Sequence, residues 1–187
     1  MISGKRVRLR PVSQADYAWL YETATSPEAG VRWRYRGATP SPESFMGSLW
    51  ESVLCQYVVE SQETREPQGL VVAYGHSSRG MHAYVAVLAS PDAVGSGRAL
   101  EGAFLLLDHV FSTWNLGKVY LEVPGFNLSQ FGSLTGLGFV EEARLRDHEW
   151  HDGKMWDHFT FALYRSSWNE MAAKFGPVIG VRTQTSS

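Results

Sequence analysis

Two glycines that follow a predicted strand form the part of this sequence best suited to binding an anion. The β-prone run 81–89 is followed by Pro91, Gly95 and Gly97, and an apolar helical segment begins at Arg98. The first turn of a helix leaves backbone N–H groups without partners, and glycine lets this backbone approach a ligand closely. The spacing therefore indicates either a phosphate-binding turn or an ordinary connection between a strand and a helix.

A polar residue beyond the next predicted strand is the second candidate. The run 118–123 alternates as a strand does, Asn127 follows it, and Gly138 and Phe139 come shortly afterwards. An Asn at the end of a strand is commonly a turn residue, because its side chain bonds to the nearby backbone. Taken alone, Asn127 is better explained as a turn residue than as a binding residue.

The elements that position these residues alternate between strands and helices. Alternating and β-branched residues predict strands over 7–11, 56–61, 69–75, 81–89, 118–123, 139–146 and 156–163. Helical spacing predicts helices from near Gln14, from Pro42, over 98–114 and over 129–137. This order indicates a mixed α/β fold with an antiparallel hairpin and a strand–helix–strand crossover.

Length and composition narrow the class of protein. A chain of 187 residues, of which 44% are apolar, fits a single globular domain at residues 1–175 with a flexible tail at 176–187. A net charge of -2 leaves no broad basic surface for a nucleic acid. The sequence contains no apolar signal region or membrane span, so we expect a cytoplasmic protein without a membrane partner.

Residues that bind metals or act as nucleophiles are sparse. Cys55 is the one cysteine of the chain, and the apolar run before it predicts a buried, unreactive thiol. His148, His151 and His158 do not have the spacing of a helical or paired zinc site. No metal is therefore predicted.

Several short segments occur in the order typical of one enzyme superfamily. They are Val7-Arg-Leu-Arg-Pro11, Pro91-Asp-Ala-Val-Gly95-Ser-Gly97, Asn127, Leu137-Gly-Phe-Val-Glu-Glu142 and Asp152-Gly153-Lys154. Together they resemble the GCN5-related N-acetyltransferase (GNAT) superfamily, and most closely its ribosomal-protein alanine N-acetyltransferase branch. The resemblance extends from about residue 7 to about residue 165. It implies a GNAT fold, with a central, mostly antiparallel, splayed sheet and flanking helices.

The resemblance also implies an activity and a binding site. The chain is expected to transfer the acetyl group of acetyl-CoA to an amine of a small molecule or of a peptide N-terminus. Pantetheine would pair with a strand edge, and the diphosphate would lie on the glycine turn. The residues that this assigns to acetyl-CoA are Val87, Leu88, Ala89, Val94, Gly95, Ser96, Gly97, Arg98, Ala99 and Asn127.

The sequence departs from the family where acid–base side chains are usual. Asp92 stands where Gln or Arg is common, and Tyr84 stands where this branch often has a carboxylate. Gln130 stands where Ser is common, and Leu134 stands where other branches have the Tyr that acts as the acid. Two alternatives therefore stay open, a CoA-binding module without catalysis and an enzyme that uses a different acyl-CoA.

Three side chains are candidates for the missing acid–base chemistry. His82 lies two residues before Tyr84 and so on the same face of its strand, and its side chain has a suitable pKa for a base. His82 and Tyr84 are the predicted catalytic residues. Glu122 on the neighbouring strand is a third candidate, although a surface role is commoner for such a residue. Positioning with a chain of water molecules is a further alternative.

The acceptor side is suggested by an Arg-rich loop and a hairpin. Trp33 and Tyr35 lie within Arg32-Trp33-Arg34-Tyr35-Arg36, which can bind a carboxylate or an aromatic ring. Trp150 lies on the hairpin around Asp152-Gly153, where it lines the acceptor pocket, forms a homodimer contact or stabilises the hairpin. Trp33, Tyr35 and Trp150 are the predicted acceptor-binding residues.

Overall fold

Eight strands form one sheet in the computed structural model, which describes residues 1–132 and 134–179. The strands are β1 (Ile2–Ser3), β2 (Val7–Pro11), β3 (Val53–Ser61), β4 (Pro67–Ser77), β5 (His82–Ala89), β6 (Lys118–Pro124), β7 (Phe139–His151) and β8 (Lys154–Tyr164). Their order across the sheet is β1-β2-β3-β4-β5-β6-β8-β7. Every neighbouring pair is antiparallel except β5 and β6.

Helices pack on both faces of this sheet. They are α1 (Tyr17–Thr25), α2 (Pro27–Gly30), α3 (Pro42–Ser48), α4 (Arg98–Thr113) and α5 (Arg165–Ile179). A serine followed by proline begins α2 and α3, and the side chains of Ser26 and Ser41 accept hydrogen bonds from the N–H groups of Ala29 and Ser44, each at 3.2 Å. These caps satisfy backbone donors that short helices cannot satisfy internally.

Alternate residues of the central strands separate two apolar layers. Val71 packs in the layer that contains Phe104 of α4, whereas its neighbour Leu70 packs in the layer that contains Phe45 of α3. Gly102 lets α4 lie directly on β3, because a Cβ there would come 2.5 Å from a methyl group of Val59. One face of the sheet therefore belongs to α4 and α5, and the other belongs to α1–α3.

The sheet opens between its two parallel strands. β5 and β6 pair only through His82 with Lys118, Ala83 with Val119 and Tyr84 with Tyr120. Beyond that point β5 stays paired with β4 as far as Ala89, and β6 stays paired with β8 as far as Pro124. The strands consequently diverge after Tyr84 and Tyr120. We call this divergence the fork.

The predicted strands and the long apolar helix are confirmed, and two predictions around them are wrong. The helix predicted over 129–137 is replaced by two 3₁₀ segments, Gly125–Phe131 and Thr135–Leu137. Gly132 lies between them with φ of 59°, and a left-handed residue interrupts a helix. The hairpin strand predicted to end at Arg146 continues to His151.

The C-terminal helix α5 is the longest element that sequence reasoning missed, and the short elements β1 and α2 were missed as well. Helix α5 places the boundary predicted at residue 175 inside a helix, and residues 180–187 of the predicted tail lie outside the described residues. The Arg165 guanidinium anchors this helix by donating to the carbonyl groups of Phe111, Trp114 and Leu116 at 2.6, 2.8 and 2.7 Å. Within residues 1–132 and 134–179, no helix is long and apolar enough to cross a membrane.

Candidate active site

A cleft of about 780 Å³ opens at the fork on the side of α4. One wall is β5 with the turn that follows it, and the other wall is β6 with the 3₁₀ segments beyond it. The side chains that line it are mostly apolar, and they include Val87, Leu121, Leu134 and Phe139. We call this the donor cleft.

The edge of β5 that faces the donor cleft has no strand partner beyond Tyr84 in the described part of the chain. Its other edge pairs with β4 from Tyr74–Tyr84 to Gly69–Ala89. Residues 85–89 therefore offer backbone N–H and C=O groups to an extended ligand, which can bind there as an added strand does. Amide groups spaced along a flexible arm suit this edge.

The glycine turn leads from this edge into the first turn of α4. Gly95 and Gly97 have φ of 79° and 74°, which glycine adopts without strain. No atom lies within 4 Å of the Cβ position at Gly95, so the backbone is open there. The helix end leaves the N–H groups of Ala99 and Leu100 without helical acceptors, and both residues line the donor cleft. This arrangement can hold a phosphate group.

The buried carboxylate of Glu101 stabilises the glycine turn through Arg6. Glu101 is 2% exposed, and its Oε1 accepts hydrogen bonds from the backbone N–H groups of Lys5 and Arg6 at 2.7 and 2.8 Å. The Arg6 guanidinium donates to Glu101 Oε2 at 2.9 Å and to the carbonyl groups of Ser96 and Gly97 at 3.1 and 3.3 Å. Burial raises the pKa of Glu101, but these hydrogen bonds outweigh burial and hold the pKa below its ordinary value. Sequence reasoning missed this contact between the N-terminal strand and the turn.

Asn127 carries a polar atom without a partner inside the donor cleft. Its side chain is 8% exposed, and Oδ1 is buried without a hydrogen bond among the described residues. A buried acceptor left unpaired costs about 1–3 kcal/mol, which a ligand donor would recover. Apart from Ser96 and Arg98, every residue predicted to bind acetyl-CoA lines this cleft. The Ser96 hydroxyl instead donates to the Ala93 carbonyl at 2.6 Å, within the turn itself.

A second pocket, of about 500 Å³, lies on the other face of the sheet at the same fork. Leu121 and Val123 of β6 are buried on the α4 side, so Glu122 between them points to the opposite face. The residues that line the pocket are Arg36, Glu122, Leu145, His148, Glu149, Trp150, His158 and Thr160. We call it the acceptor pocket.

The two carboxylates of the acceptor pocket have different surroundings. Glu149 Oε1 lies 2.6 Å from His158 Nδ1 and 3.5 Å from an Nη atom of Arg36. Glu122 is exposed and makes no hydrogen bond or ion pair within the described residues. Glu122 is therefore the carboxylate available to a ligand at the fork.

Tyr74 of β4, Tyr84 of β5 and Tyr120 of β6 form a row of aromatic rings near Glu122. The ring centroids of Tyr74 and Tyr84 lie 5.6 Å apart, and those of Tyr84 and Tyr120 lie 5.4 Å apart. Burial, and then the charge of Glu122, raise the pKa of Tyr74 to about 12. The same two causes raise the pKa of Tyr84. Both phenols therefore stay protonated near neutral pH and can act as donors beside the carboxylate.

The predicted catalytic residues lie on the acceptor face but at different distances from the fork. Tyr84 forms the last pair of β5 with β6, opposite Tyr120, whereas His82 pairs with Lys118 two residues earlier. The His82 ring lies 6.0 Å from the Tyr84 ring and 5.3 Å from the Tyr120 ring. Neither His82 nor Tyr84 lines the donor cleft or the acceptor pocket, but Tyr84 is the closer of the two to the fork.

Of the predicted acceptor-binding residues, the structure brings only Trp150 to the acceptor pocket. Trp33 is 7% exposed in the layer beneath α3 and lines the donor cleft instead. Tyr35 packs against Phe45 of α3, and its hydroxyl lies 2.8 Å from Ser48 Oγ. The loop turns its aromatic rings inward because they bury apolar area there, and it leaves Arg36 at the pocket.

Histidine and cysteine side chains form no candidate metal site in residues 1–132 and 134–179. No group of three or more His, Cys, Asp or Glu side chains there could hold a metal ion. His148 lies beside His158 with ring centroids 5.4 Å apart, while His151 stacks on Phe126 at 4.1 Å. Burial raises the pKa of the Cys55 thiol to about 11, so it is not a thiolate near neutral pH.

The forked sheet and the glycine turn at a helix end suit a thioester of CoA, which carries amide groups along its pantetheine arm and phosphates beyond them. The family model described as an acetyltransferase (GNAT) domain matches residues 6–140 of this chain. The chain therefore belongs to the GNAT acetyltransferase family, and it is an acetyl-CoA-dependent N-acetyltransferase. The predicted superfamily is confirmed, while the likeness to the ribosomal-protein alanine branch stays a prediction.

Related proteins support the same family. The chain is 27% identical to spermidine N(1)-acetyltransferase of Escherichia coli (strain K12) over 150 residues, which is 78% of each chain. It is 32% identical over 71 residues to an uncharacterized N-acetyltransferase p20 of Bacillus licheniformis, but this match spans 40% of that relative. The crystal structure of spermidine N-acetyltransferase from Vibrio cholerae in complex with CoA and spermine has a TM-score of 0.77 at 21% identity. That match covers 87% of this chain and 98% of the other.

Proposed function

We propose that this enzyme acetylates a small-molecule amine that binds in the acceptor pocket, while acetyl-CoA binds in the donor cleft. The observation that carries the proposal is the fork, because β5 and β6 separate directly after Tyr84 and Tyr120. At that point a donor site on one face of the sheet and an acceptor site on the other can meet. An acyl group and an amine held there would be in contact without a covalent enzyme intermediate.

The donor residues have separate roles in this proposal. The backbone at Val87, Leu88 and Ala89 pairs with the pantetheine arm, and the buried Asn127 side chain bonds to it. The N–H groups around Gly95 and Gly97 hold the diphosphate at the helix end. Asn127 Oδ1 and the N–H groups of Ala99 and Leu100 are the groups here that have no partner within the described residues.

Acyl transfer requires the acceptor amine to lose a proton and the thioester bond to break. The amine nitrogen forms a C–N bond with the thioester carbon, and the C–S bond breaks to release the CoA thiolate. An N–H group on the free edge of β5 stabilises the negative oxygen of the intermediate. The proton of the amine passes to Glu122, and the thiolate takes a proton from Tyr84 or from water.

Glu122 replaces His82 as the proposed proton acceptor. Glu122 lies in the acceptor pocket directly beyond the last β5–β6 pair, whereas His82 lies on the other side of that pair and lines neither cavity. A general base must come within hydrogen-bonding reach of the proton that it takes. Tyr84 lines neither cavity either, but it keeps its proposed role as a donor because it forms the last β5–β6 pair at the fork, and His82 contacts the ring of Tyr84.

The test compares Glu122→Gln with His82→Asn in an assay of thiol release from acetyl-CoA, with a panel of amines that includes spermidine. We expect Glu122→Gln to lower kcat by about 100-fold, because a positioned base contributes at least that much. The KM for acetyl-CoA should not change, and His82→Asn should lower kcat by less than about 5-fold, since its role is indirect. A Glu122→Gln enzyme with full activity would overturn the assignment of the base.

We also propose that copies of this chain associate through β7, which the homodimer prediction anticipated. β7 is an edge strand of the sheet, and it exposes Val140, Leu145 and Trp150. An unpaired edge with apolar side chains favours pairing with another chain. Among the similar structures, spermidine N-acetyltransferase from Vibrio cholerae is described as dodecameric in an intermediate state. A cytoplasmic location stays a prediction.

A further inference from the structure

The acceptor pocket places one available carboxylate and one guanidinium in a cavity of about 500 Å³. Glu122 lies at the fork end, where the amine has to be for transfer. Arg36 enters the same cavity from the loop between α2 and α3. The pocket therefore offers groups of opposite charge to a single small ligand.

Arg36 is available to a ligand because its protein contact is weak. Its guanidinium lies 3.5 Å from Glu149 Oε1, and the side chain is 40% exposed. Glu149 has a closer partner, since the same oxygen lies 2.6 Å from His158 Nδ1. A guanidinium has five N–H donors, and a carboxylate ligand can accept two of them side by side.

The backbone holds the Arg36 loop in place. The Arg36 N–H donates to the carbonyl of Trp33 at 3.0 Å, and the Gly37 N–H donates to the carbonyl of Gly30 at 3.1 Å. Glycine at 37 adopts a φ of 86°, which such a turn requires. Burial and then the charge of Glu122 raise the pKa of Tyr74, while the charges of Arg34 and, less strongly, Arg36 lower it, so the loop and the carboxylate act on the same phenol.

A polyamine does not match this arrangement of charges. Its first ammonium group could bind Glu122, but a second one would meet Arg36 in the same cavity. Glu149 Oε1 already has His158 Nδ1 as a partner at 2.6 Å, whereas Glu122 has no partner among the described residues. Two cations close together repel each other, and a partly enclosed cavity strengthens the repulsion.

We infer that the acceptor is a small aminocarboxylate, with its amine at Glu122 and its carboxylate at Arg36. This rests on the proposed function, and it names the substrate class of the same site. The volume of the pocket is within the range of small-molecule sites. The inference also distinguishes this enzyme from the relatives whose names specify spermidine.

The test uses matched pairs of acceptors, namely amino acids and their carboxamides, with spermidine as a third class. For the wild-type enzyme, we expect kcat/KM for each acid to exceed that for its amide by about 10-fold, as a charge-assisted bidentate contact predicts. Arg36→Gln should reduce the ratio of kcat/KM for acid over amide from about 10 to about 1. Arg34→Gln is the matched control, because Arg34 lies on the same loop but does not line the pocket.

Titration calorimetry of the same acids and amides against the enzyme with bound CoA gives a readout that does not depend on turnover. Acids should bind more tightly than amides to the wild type and equally well to Arg36→Gln. Equal rates for acid and amide, or a preference for spermidine, would overturn the inference and leave the proposed function standing. Thiol release with none of these amines would count against both.

Discussion

The donor cleft and the acceptor pocket meet at the fork, but they offer different kinds of groups to a ligand. The donor cleft uses backbone groups, namely the free edge of β5, the turn at Gly95 and Gly97, and the end of α4. The acceptor pocket uses side chains from the Arg36 loop, β6, β7 and β8. A site made of backbone depends on local conformation, whereas a site made of side chains depends on which elements the fold brings together.

The largest expected effect is at the glycine turn. Gly97→Glu should weaken binding of acetyl-CoA by more than about 100-fold, because it places a carboxylate and a strained side chain at the diphosphate site. Gly97→Gln has the same length and the same strain, so the difference between the two variants isolates the charge. Titration calorimetry measures both.

Gly47→Glu is the control for that comparison, because apart from its own helix no described residue comes within 4 Å of its Cβ position and Gly47 lines neither cavity. A folded Gly97→Glu protein that binds acetyl-CoA as tightly as this control would show that the diphosphate does not lie at the turn.

The next largest effect is expected on the free energy of unfolding, at the buried carboxylate of Glu101 that binds Arg6 beside the glycine turn. Glu101→Gln should lower the free energy of unfolding by about 2 kcal/mol at pH 7, because the buried carboxylate loses its charge-assisted hydrogen bonds with the Lys5 and Arg6 backbone and with the half-exposed Arg6 side chain. The folded-state pKa of Glu101 lies below its ordinary value, so its contribution is present above about pH 4.5 and is lost as the pH falls through the folded pKa.

Urea unfolding of wild type and Glu101→Gln at pH 7 and at pH 3 tests this. The difference between the two proteins should shrink at the lower pH. A difference that is the same at both values would mean that the ionised form of Glu101 is not what stabilises the fold.

A smaller effect is expected on the acceptor side. Trp150 is 70% exposed and lines the pocket, so Trp150→Ala should raise the KM for the acceptor by about 5-fold, as the loss of roughly 1 kcal/mol of contact predicts. The KM for acetyl-CoA should stay as it is. Steady-state kinetics with each substrate varied in turn, and the molecular mass in solution, separate a pocket role from a contact between copies.

The smallest effect is predicted for Asp92, whose carboxylate stands where Gln or Arg is common in the family. Asp92 is exposed, and it does not line the donor cleft although Pro91 and Ala93 do. Asp92→Asn should change the KM for acetyl-CoA by less than about 2-fold at physiological salt, because an exposed charge there is screened. A large gain in affinity would place this carboxylate near the diphosphate after all.

Sequence reasoning succeeded where a single segment carries the signal. The glycines at 95 and 97 and the strand before them predicted the wall of the donor cleft that β5 and the turn form, because these features are local, but not the walls that α4, β6 and the 3₁₀ segments contribute. Ser96 and Arg98 lie in the same turn, yet they do not line the cleft, since alternate residues of a turn point in different directions. The sequence did not indicate the contact between Arg6 and Glu101, because those residues are 95 positions apart.

What the sequence by itself determined is the alternation of strands and helices, the glycine turn and the family to which the chain belongs. The tertiary structure decided that Arg36, Glu122 and His158 share a pocket, and that Tyr35 does not. The physical reason is that turns and periodic apolar patterns act over a few residues. The acceptor pocket forms only after the Arg36 loop, β6 and the β7–β8 hairpin, which lie far apart along the chain, have packed around the fork.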